Sequence, residues 1–306
     1  MQQIILTDYE QTPVLQDVAI PEPKEGEVLV RIAAAALNPL DVKLQRGQAH
    51  AYFPLTFPSP MGTDLAGMIE KTGSLTSRWR AGDRVVARLD PTKGGAFAQY
   101  AIVSEDQLVL VPEALNFNSA AGLPTAAGTA WQALVESADL QAGQTVLVHA
   151  GAGGVGSFAI QFARGLGARV IATVSGDGLE IARELGADQV IDYRSEDFAR
   201  RVTDIDVVLD TIGGDTQQRS FDVLRSGGKL VSTVSPPEQA LAIAHKVESA
   251  FVFHISNAKR LSELVKAMGA KDHSVLIEGV FPITSFAEAF ERQASGRAHG
   301  KIILTF

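Results

Sequence analysis

Two rhythms of apolar and polar positions follow one another along the chain. Up to about residue 124, short β-rich runs are broken by turns: 27–33 alternates apolar with polar, 64–70 follows a glycine, and 84–87 follows Ala81-Gly82-Asp83. Runs bounded in this way predict short strands in a mostly antiparallel, barrel-like domain. From Thr145 the pattern changes to compact β-branched runs at 145–149, 169–173, 189–191, 206–209, 229–232 and 250–253, each followed by a helix-length segment. Strand and helix alternating at that spacing predict a parallel sheet with helices on both faces. After about residue 274 the strand pattern returns, with runs at 275–281 and 301–305 around a helical stretch at 285–294. This end is expected to pair back into the first sheet.

Proline marks the same boundary, since ten of the 13 prolines fall at or before Pro124 and the next is Pro236. The expected architecture is α/β in two domains. Residues 1–123 and 275–306 form the first, and residues 124–274 form a doubly wound parallel-sheet domain. The alternative, one α/β domain with a long amino-terminal extension, would leave too many apolar strands unfolded.

Composition narrows the chemistry. At 306 residues with 46% hydrophobic and 20% charged positions, the chain is expected to fold compactly. Its net charge of -8 works against a nucleic-acid partner. The absence of cysteine removes disulfides, thiolate zinc ligands, iron–sulfur clusters and a Cys nucleophile. His50, His149, His245, His254, His273 and His299 include no pair at the three- or four-residue spacing of a helical metal site, so no metal is expected. No stretch approaches the roughly 20 apolar residues of a membrane helix, and Met1 to Glu10 has no leader pattern. A cytoplasmic protein is the expectation.

The strongest chemical signal is Gly151-Ala152-Gly153-Gly154-Val155-Gly156, placed between the apolar run Val146-Leu147-Val148 and a helix-length run starting at Val155. Such a turn lets backbone amides at a helix start approach a dinucleotide pyrophosphate without a basic side chain. A bare glycine-rich turn is the plainer reading, and the strand before and helix after argue against it. About twenty residues on, the second strand is expected to end at the adenosine ribose. It runs into Ser175, which lacks the carboxylate that would repel a 2′-phosphate, so NADPH is favoured over NADH. Asp177 is the counter-signal, while Tyr193 and Arg194 lie after the next strand as stacking or basic partners.

Taken together, Asn38-Pro39-Leu40-Asp41-Val42-Lys43, Gly62-Thr63-Asp64-Leu65-Ala66-Gly67, Ala81-Gly82-Asp83-Arg84-Val85, the glycine turn, Asp210-Thr211-Ile212-Gly213-Gly214 and Gly300-Lys301-Ile302-Ile303-Leu304 carry a resemblance. The chain resembles the zinc-independent quinone oxidoreductase branch of the medium-chain dehydrogenase/reductase superfamily, with its ζ-crystallin-like and alkenal/enone reductases. The resemblance implies a GroES-like catalytic domain made from both chain ends and a Rossmann domain between them. Zinc-dependent relatives use Cys and His ligands with a His-Glu pair where this chain has Thr63-Asp64. What it implies instead is hydride transfer from NADPH, without a metal, to a quinone or to the β-carbon of an α,β-unsaturated carbonyl.

By the same resemblance, Asn38 is a candidate donor to the substrate oxygen, with an Asx-turn before Pro39 as its plainer role. Lys43 matches the lysine of alkenal-reductase-like members, with a solvated surface lysine as its plainer role and Asp41 as its expected pairing partner. Tyr52, in the apolar loop Tyr52-Phe53-Pro54-Leu55, is a proton-donor candidate or a packing aromatic. On the cofactor side the resemblance points to Thr129, and to Lys301 as a phosphate contact or a strand cap. Ile212, Val234, Phe253 and Ile255 are cofactor candidates because they fall at carboxyl ends of strands, which face the ligand crevice.

Two other readings stand beside the leading one. A 2-enoyl-thioester reductase would need a tyrosine donor and a carrier groove, and no basic cluster for a carrier is present. A catalytically weak NADPH-binding structural or regulatory protein would keep the turn alone. The apolar run 250–253 is expected at a sheet edge, and covering that edge across a twofold axis predicts a homodimer.

Overall fold

The computed structural model describes residues 1–74, 78–269 and 273–306. The chain forms two compact units, Met1–Thr125 with Ser256–Phe306, and Ala126–Ile255.

The first unit is organised around the eleven-residue strand Glu27–Leu37. Its alternating half, 27–33, continues through the small residues Ala34, Ala35 and Ala36, all fully buried. Along one side it pairs antiparallel with Asp64–Thr72. Along the other, Tyr100–Ser104 covers Glu27 to Arg31 and Lys301–Thr305 covers Ala34 to Leu37, both antiparallel. Arg84–Arg88 and Val109–Leu110 extend the sheet beyond Asp64–Thr72, and Ile277–Pro282 joins Lys301–Thr305 in parallel. The chain's end thus returns into the first sheet. A three-stranded sheet of Val14–Asp17, Gln2–Leu6 and Ser59–Pro60 completes the unit. Leu6, Val30, Leu65, Phe97, Phe286 and Leu304 share its core.

The helix Ala258–Gly269 groups with this first unit, so the return begins at Ser256, ahead of the strand run expected at 275–281. Strands Gln2–Leu6 and Tyr100–Ser104 have no counterpart among the sequence expectations.

The second unit is a six-stranded sheet in the order Gln189–Asp192, Arg169–Val174, Thr145–His149, Ile205–Asp210, Leu224–Ser232, Glu248–Phe251. Every neighbouring pair is parallel. Val146, Leu147 and Val148 are fully buried, as expected of a central strand covered on both faces. From Thr145–His149 the chain first winds to one side and then to the other, which makes its carboxyl end the switch point where doubly wound sheets bind ligands. The last strand is Glu248–Phe251 rather than 250–253, and it does lie at the sheet's edge. Among the described residues no helix is long and apolar enough to cross a membrane.

Candidate active site

At the switch point the strand Thr145–His149 turns into the helix Gly154–Gly165 through Ala150, which sits in the left-handed region at φ 51°. A non-glycine residue there is strained, and such strain collects at functional turns. The turn is held by Gly151 N–H donating to the Thr173 carbonyl (3.0 Å) and Gly153 N–H donating to the Ala150 carbonyl (2.9 Å). Two glycines are sterically required. A Cβ on Gly156 would lie 2.2 Å from the Ala150 oxygen, and one on Gly151 would lie 2.8 Å from the Ala172 Cβ. Gly153 is the helix N-cap with extended backbone, so the first N–H groups of Gly154, Val155 and Gly156 leave the helix end without intrahelical acceptors. Backbone amides arranged in this way have the donor chemistry that fits the pyrophosphate of a dinucleotide.

At the ends of the neighbouring strands, the Ser175 hydroxyl donates to the Tyr193 hydroxyl at 2.9 Å, so the sequence candidates Ser175 and Tyr193 are brought together. Tyr193, Arg194 and Asp177 are exposed. On the other side of the turn, Ile212 is exposed and Val234 half-buried, and a Cβ on Gly213 would reach 3.3 Å from Val234 Cγ1. Phe253 and Ile255 are both exposed, and the Gln132 side chain bonds the Phe253 carbonyl (3.4 Å) and the Ile255 N–H (3.3 Å). Thr129 is buried in the helix Ala126–Trp131.

His149, at the end of the first strand, is fully enclosed. The Ser220 hydroxyl gives its proton to the Thr216 carbonyl at 2.6 Å, so it accepts from His149 Nε2–H at 2.9 Å. Nδ1 is then the acceptor from the Thr173 hydroxyl at 3.0 Å. Burial pulls the imidazole down to about 4, with the Asp210 carboxylate opposing, so the ring is neutral and structural.

The first unit contains a buried polar cluster that joins sequence-distant residues. Asn38 starts the helix Pro39–Gln45, and its backbone N–H donates to the Asp41 carboxylate at 2.7 Å, the acidic half of a capping box. The Asn38 amide nitrogen donates to Asp64 (3.1 Å) and to the Ala36 carbonyl (3.4 Å). Its oxygen accepts from Lys301 Nζ at 2.5 Å, and the same ammonium donates to the Leu37 carbonyl at 2.7 Å. Asp64 is filled by Thr63 Oγ1 (3.0 Å), Thr125 Oγ1 (2.7 Å) and Thr125 N–H (3.0 Å). Arg88 donates to Thr125 Oγ1 (2.9 Å) and Ser256 Oγ (3.0 Å). Burial raises the Asp41 carboxyl to about 7, against the Asn38 N–H that lowers it. Burial also pulls Lys301 and Arg88 below their ordinary values, with Asp64 the leading opposing charge for each.

This cluster places three residues that the sequence singles out. Both N–H groups of the Asn38 amide are spent inside the unit and the residue is buried, so Asn38 is not placed as a donor to a substrate oxygen. Lys301, read as a phosphate contact or a strand cap, is 3% exposed with its ammonium directed at Leu37 and Asn38, in keeping with the cap. Asp41 faces the interior while Lys43 is exposed, so the two do not pair. Asp41 at the third helical position after an Asn-Pro start was the legible signal for that capping role. Tyr52 is 63% exposed. Lys43 and Tyr52 are therefore the catalytic candidates that reach the surface.

The donor set does not fit zinc. Cysteine is absent, Asp64 is already filled by Asn38, Thr63 and Thr125, and among the described residues no three His, Cys, Asp or Glu side chains converge.

Residues 24–113 match the alcohol dehydrogenase GroES-like domain family, and residues 185–304 match a family described as zinc-binding dehydrogenase. The chain is 33% identical over 306 residues to the chloroplastic quinone-oxidoreductase homolog of Spinacia oleracea, covering 94% of this chain and 92% of that one. It is 35% identical over 315 residues to the chloroplastic NADPH-dependent alkenal/one oxidoreductase of Arabidopsis thaliana, covering 98% and 78%. The structure of the quinone oxidoreductase from Coxiella burnetii superposes with a TM-score of 0.92 at 30% identity, over 100% of this chain and 99% of that one. A mostly antiparallel GroES-like unit, a parallel six-stranded Rossmann-like sheet and relatives matched over 78–99% of their own length lead to one conclusion: this chain belongs to the medium-chain dehydrogenase/reductase superfamily, in its NAD(P)H-dependent quinone oxidoreductase and alkenal/one reductase branch.

Proposed function

We propose that the chain is an NADPH-dependent reductase that transfers hydride, without a metal, to a quinone or to the β-carbon of an α,β-unsaturated carbonyl. The observation that carries this reading is the amide-lined turn at Gly151 to Gly156, where Gly156 has no room for a side chain, in a chain whose relatives are a quinone oxidoreductase and an alkenal/one oxidoreductase. NADPH supplies the hydride when bound. The amides of Gly154, Val155 and Gly156 hold its pyrophosphate. Ser175 and Tyr193 offer neutral hydroxyls to the 2′-phosphate, and exposed Arg194 adds a cation in the same loop.

As the acceptor takes hydride, negative charge grows on its oxygen. Lys43 and Tyr52, the exposed members of the first unit's candidate set, are the groups to stabilise that charge or return a proton. Oxidation of NADPH against quinones, alkenals and enoyl thioesters tests the reading. Turnover with quinones or alkenals is expected, and tight NADPH binding with turnover of no acceptor would overturn it. The edge strand Glu248–Phe251, followed by exposed Phe253 and Ile255, supports a homodimer built by covering that edge. Light scattering at twice the chain mass of 32.5 kDa is the expected result, and a monomer would refute it.

A further inference from the structure

We infer that Asp210 is a positioning residue for the cofactor: one buried carboxylate holds in register the two loops that follow adjacent strands at the switch point. The inference rests on the reading that this crevice binds a nicotinamide dinucleotide.

The strand Ile205–Asp210 is apolar through Val207, Val208 and Leu209 and then ends in a carboxylate with no solvent exposure. A buried carboxylate is costly unless its oxygens are filled by donors. Here both are. Oδ1 accepts the N–H groups of Ile212 (2.9 Å) and Gly213 (2.8 Å), and Oδ2 accepts Gln217 Nε2 (2.9 Å) and the Ser232 hydroxyl (2.8 Å). The first pair shapes the loop that carries exposed Ile212. The second pair reaches the end of the next strand, Leu224–Ser232.

Ser232 passes the effect onward. Its single proton goes to Asp210, so its oxygen is left to accept the N–H groups of Val234 (3.2 Å) and Ser235 (3.4 Å). Gln217 Nε2 also donates to the Ser235 carbonyl at 3.1 Å. The negative charge of Asp210 therefore sets which way the Ser232 hydroxyl points, and that direction fixes the loop bearing Val234. The Thr211 hydroxyl donates to the His149 carbonyl at 2.8 Å, tying the same arrangement to the strand that opens the glycine turn. Three neighbouring strand ends are thus held by the protein's own groups, which is how a site lowers the ordering cost of binding.

An asparagine at 210 is nearly isosteric but has one acceptor oxygen. With that oxygen toward Ile212 and Gly213, its NH2 confronts the Gln217 amide and donates to the Ser232 oxygen, whose own proton then has to turn toward the Val234 and Ser235 N–H groups it had accepted. The ladder bonds of the strand use its backbone alone, so the substitution acts on the register of the loops.

The test uses the full chain and NADPH as the probe. Dissociation constants are measured by nucleotide fluorescence, beside thermal midpoints and steady-state kinetics. Asp210→Asn is expected to raise the NADPH dissociation constant and KM about tenfold while kcat at saturation stays within about threefold. Ser232→Ala is expected to shift both constants the same way by a smaller factor. Val223→Ala, a core truncation in the same unit, is expected to lower the thermal midpoint with affinity unchanged. Folded Asp210→Asn with wild-type affinity overturns the inference, as does an equal loss of affinity in Val223→Ala. If Asp210→Asn does not fold, an unchanged affinity in Ser232→Ala overturns it. Wild-type protein that binds neither NADPH nor NADH removes the cofactor reading and the inference together, whereas wild-type binding with an indifferent Asp210→Asn removes the inference alone.

Discussion

The ammonium of Lys301 and the side-chain oxygen of Asn38 meet at 2.5 Å across 263 positions of sequence. The contact links the returning strand to the first helix and places a cation beside two buried carboxylates, Asp41 and Asp64.

Lys301→Met removes that cation and leaves the Leu37 carbonyl and the Asn38 oxygen without their donor. Breaking a buried ionic group in this way is expected to cost about 3–5 kcal/mol. Urea unfolding checks it, and a loss under about 1 kcal/mol, the size of an exposed pair, would show that the cluster contributes little.

Stability should vary with pH through two buried groups whose effects oppose each other. His149 is held at about 4 against an ordinary 6.5, so as pH falls below 6.5 the unfolded chain gains a proton that the folded chain refuses. Stability is lost in that direction, by up to about 3 kcal/mol. Asp41 is raised from 3.8 to about 7, so the folded chain keeps a proton that the unfolded chain releases, and stability is lost as pH rises between those values. Between about 4 and 6.5 the two slopes offset. Asp41→Asn should therefore expose a rise of unfolding free energy with pH across that window, steeper than in the wild type. Equal slopes in urea titrations would reject the assignment.

The two turn glycines should differ in tolerance. A methyl group at Gly156 lands 2.2 Å from the Ala150 oxygen, whereas one at Gly153 lands 3.2 Å from it. Gly156→Ala is expected to weaken NADPH binding about tenfold or more by opening the turn, and Gly153→Ala distinctly less. Comparable losses in the two variants would count against the turn as the pyrophosphate cradle.

Cofactor choice should turn on Ser175. Ser175→Asp brings a carboxylate to a position where its hydroxyl now bonds Tyr193, and repulsion is expected to weaken NADPH about tenfold while sparing NADH. Parallel loss of both nucleotides would move the 2′-phosphate site elsewhere.

The strand Thr145–His149 was legible to the residue, because a parallel strand covered on both faces must be a continuous apolar run and a glycine turn marks its end. The apolar pattern puts the edge strand two residues late, since Phe251 and Phe253 belong to the same apolar run and only pairing with Leu224–Ser232 decides where it stops. The buried cluster was illegible for a different reason. Local pattern reports which face of an element is apolar, not which distant polar groups meet inside. Lys301 and Asn38 each looked fit for a ligand because the partner that consumes each lies at the opposite end of the chain. Asp41 and Lys43, two apart on a helix, could not face each other by geometry alone. Asp210 is legible as an acidic residue closing an apolar strand, whereas its role depends on four donors that local pattern does not report.

The strand Lys301–Thr305 is made after every residue of the second unit, yet it covers Ala34 to Leu37 near the centre of the first unit's sheet. During synthesis, the second unit has all of its own strands available while the first still shows an uncovered apolar edge of three alanines and a leucine. Vectorial translation thus imposes an order of maturation, and the growing chain is most exposed to mispairing with its neighbours on a polysome in the interval before that last strand emerges.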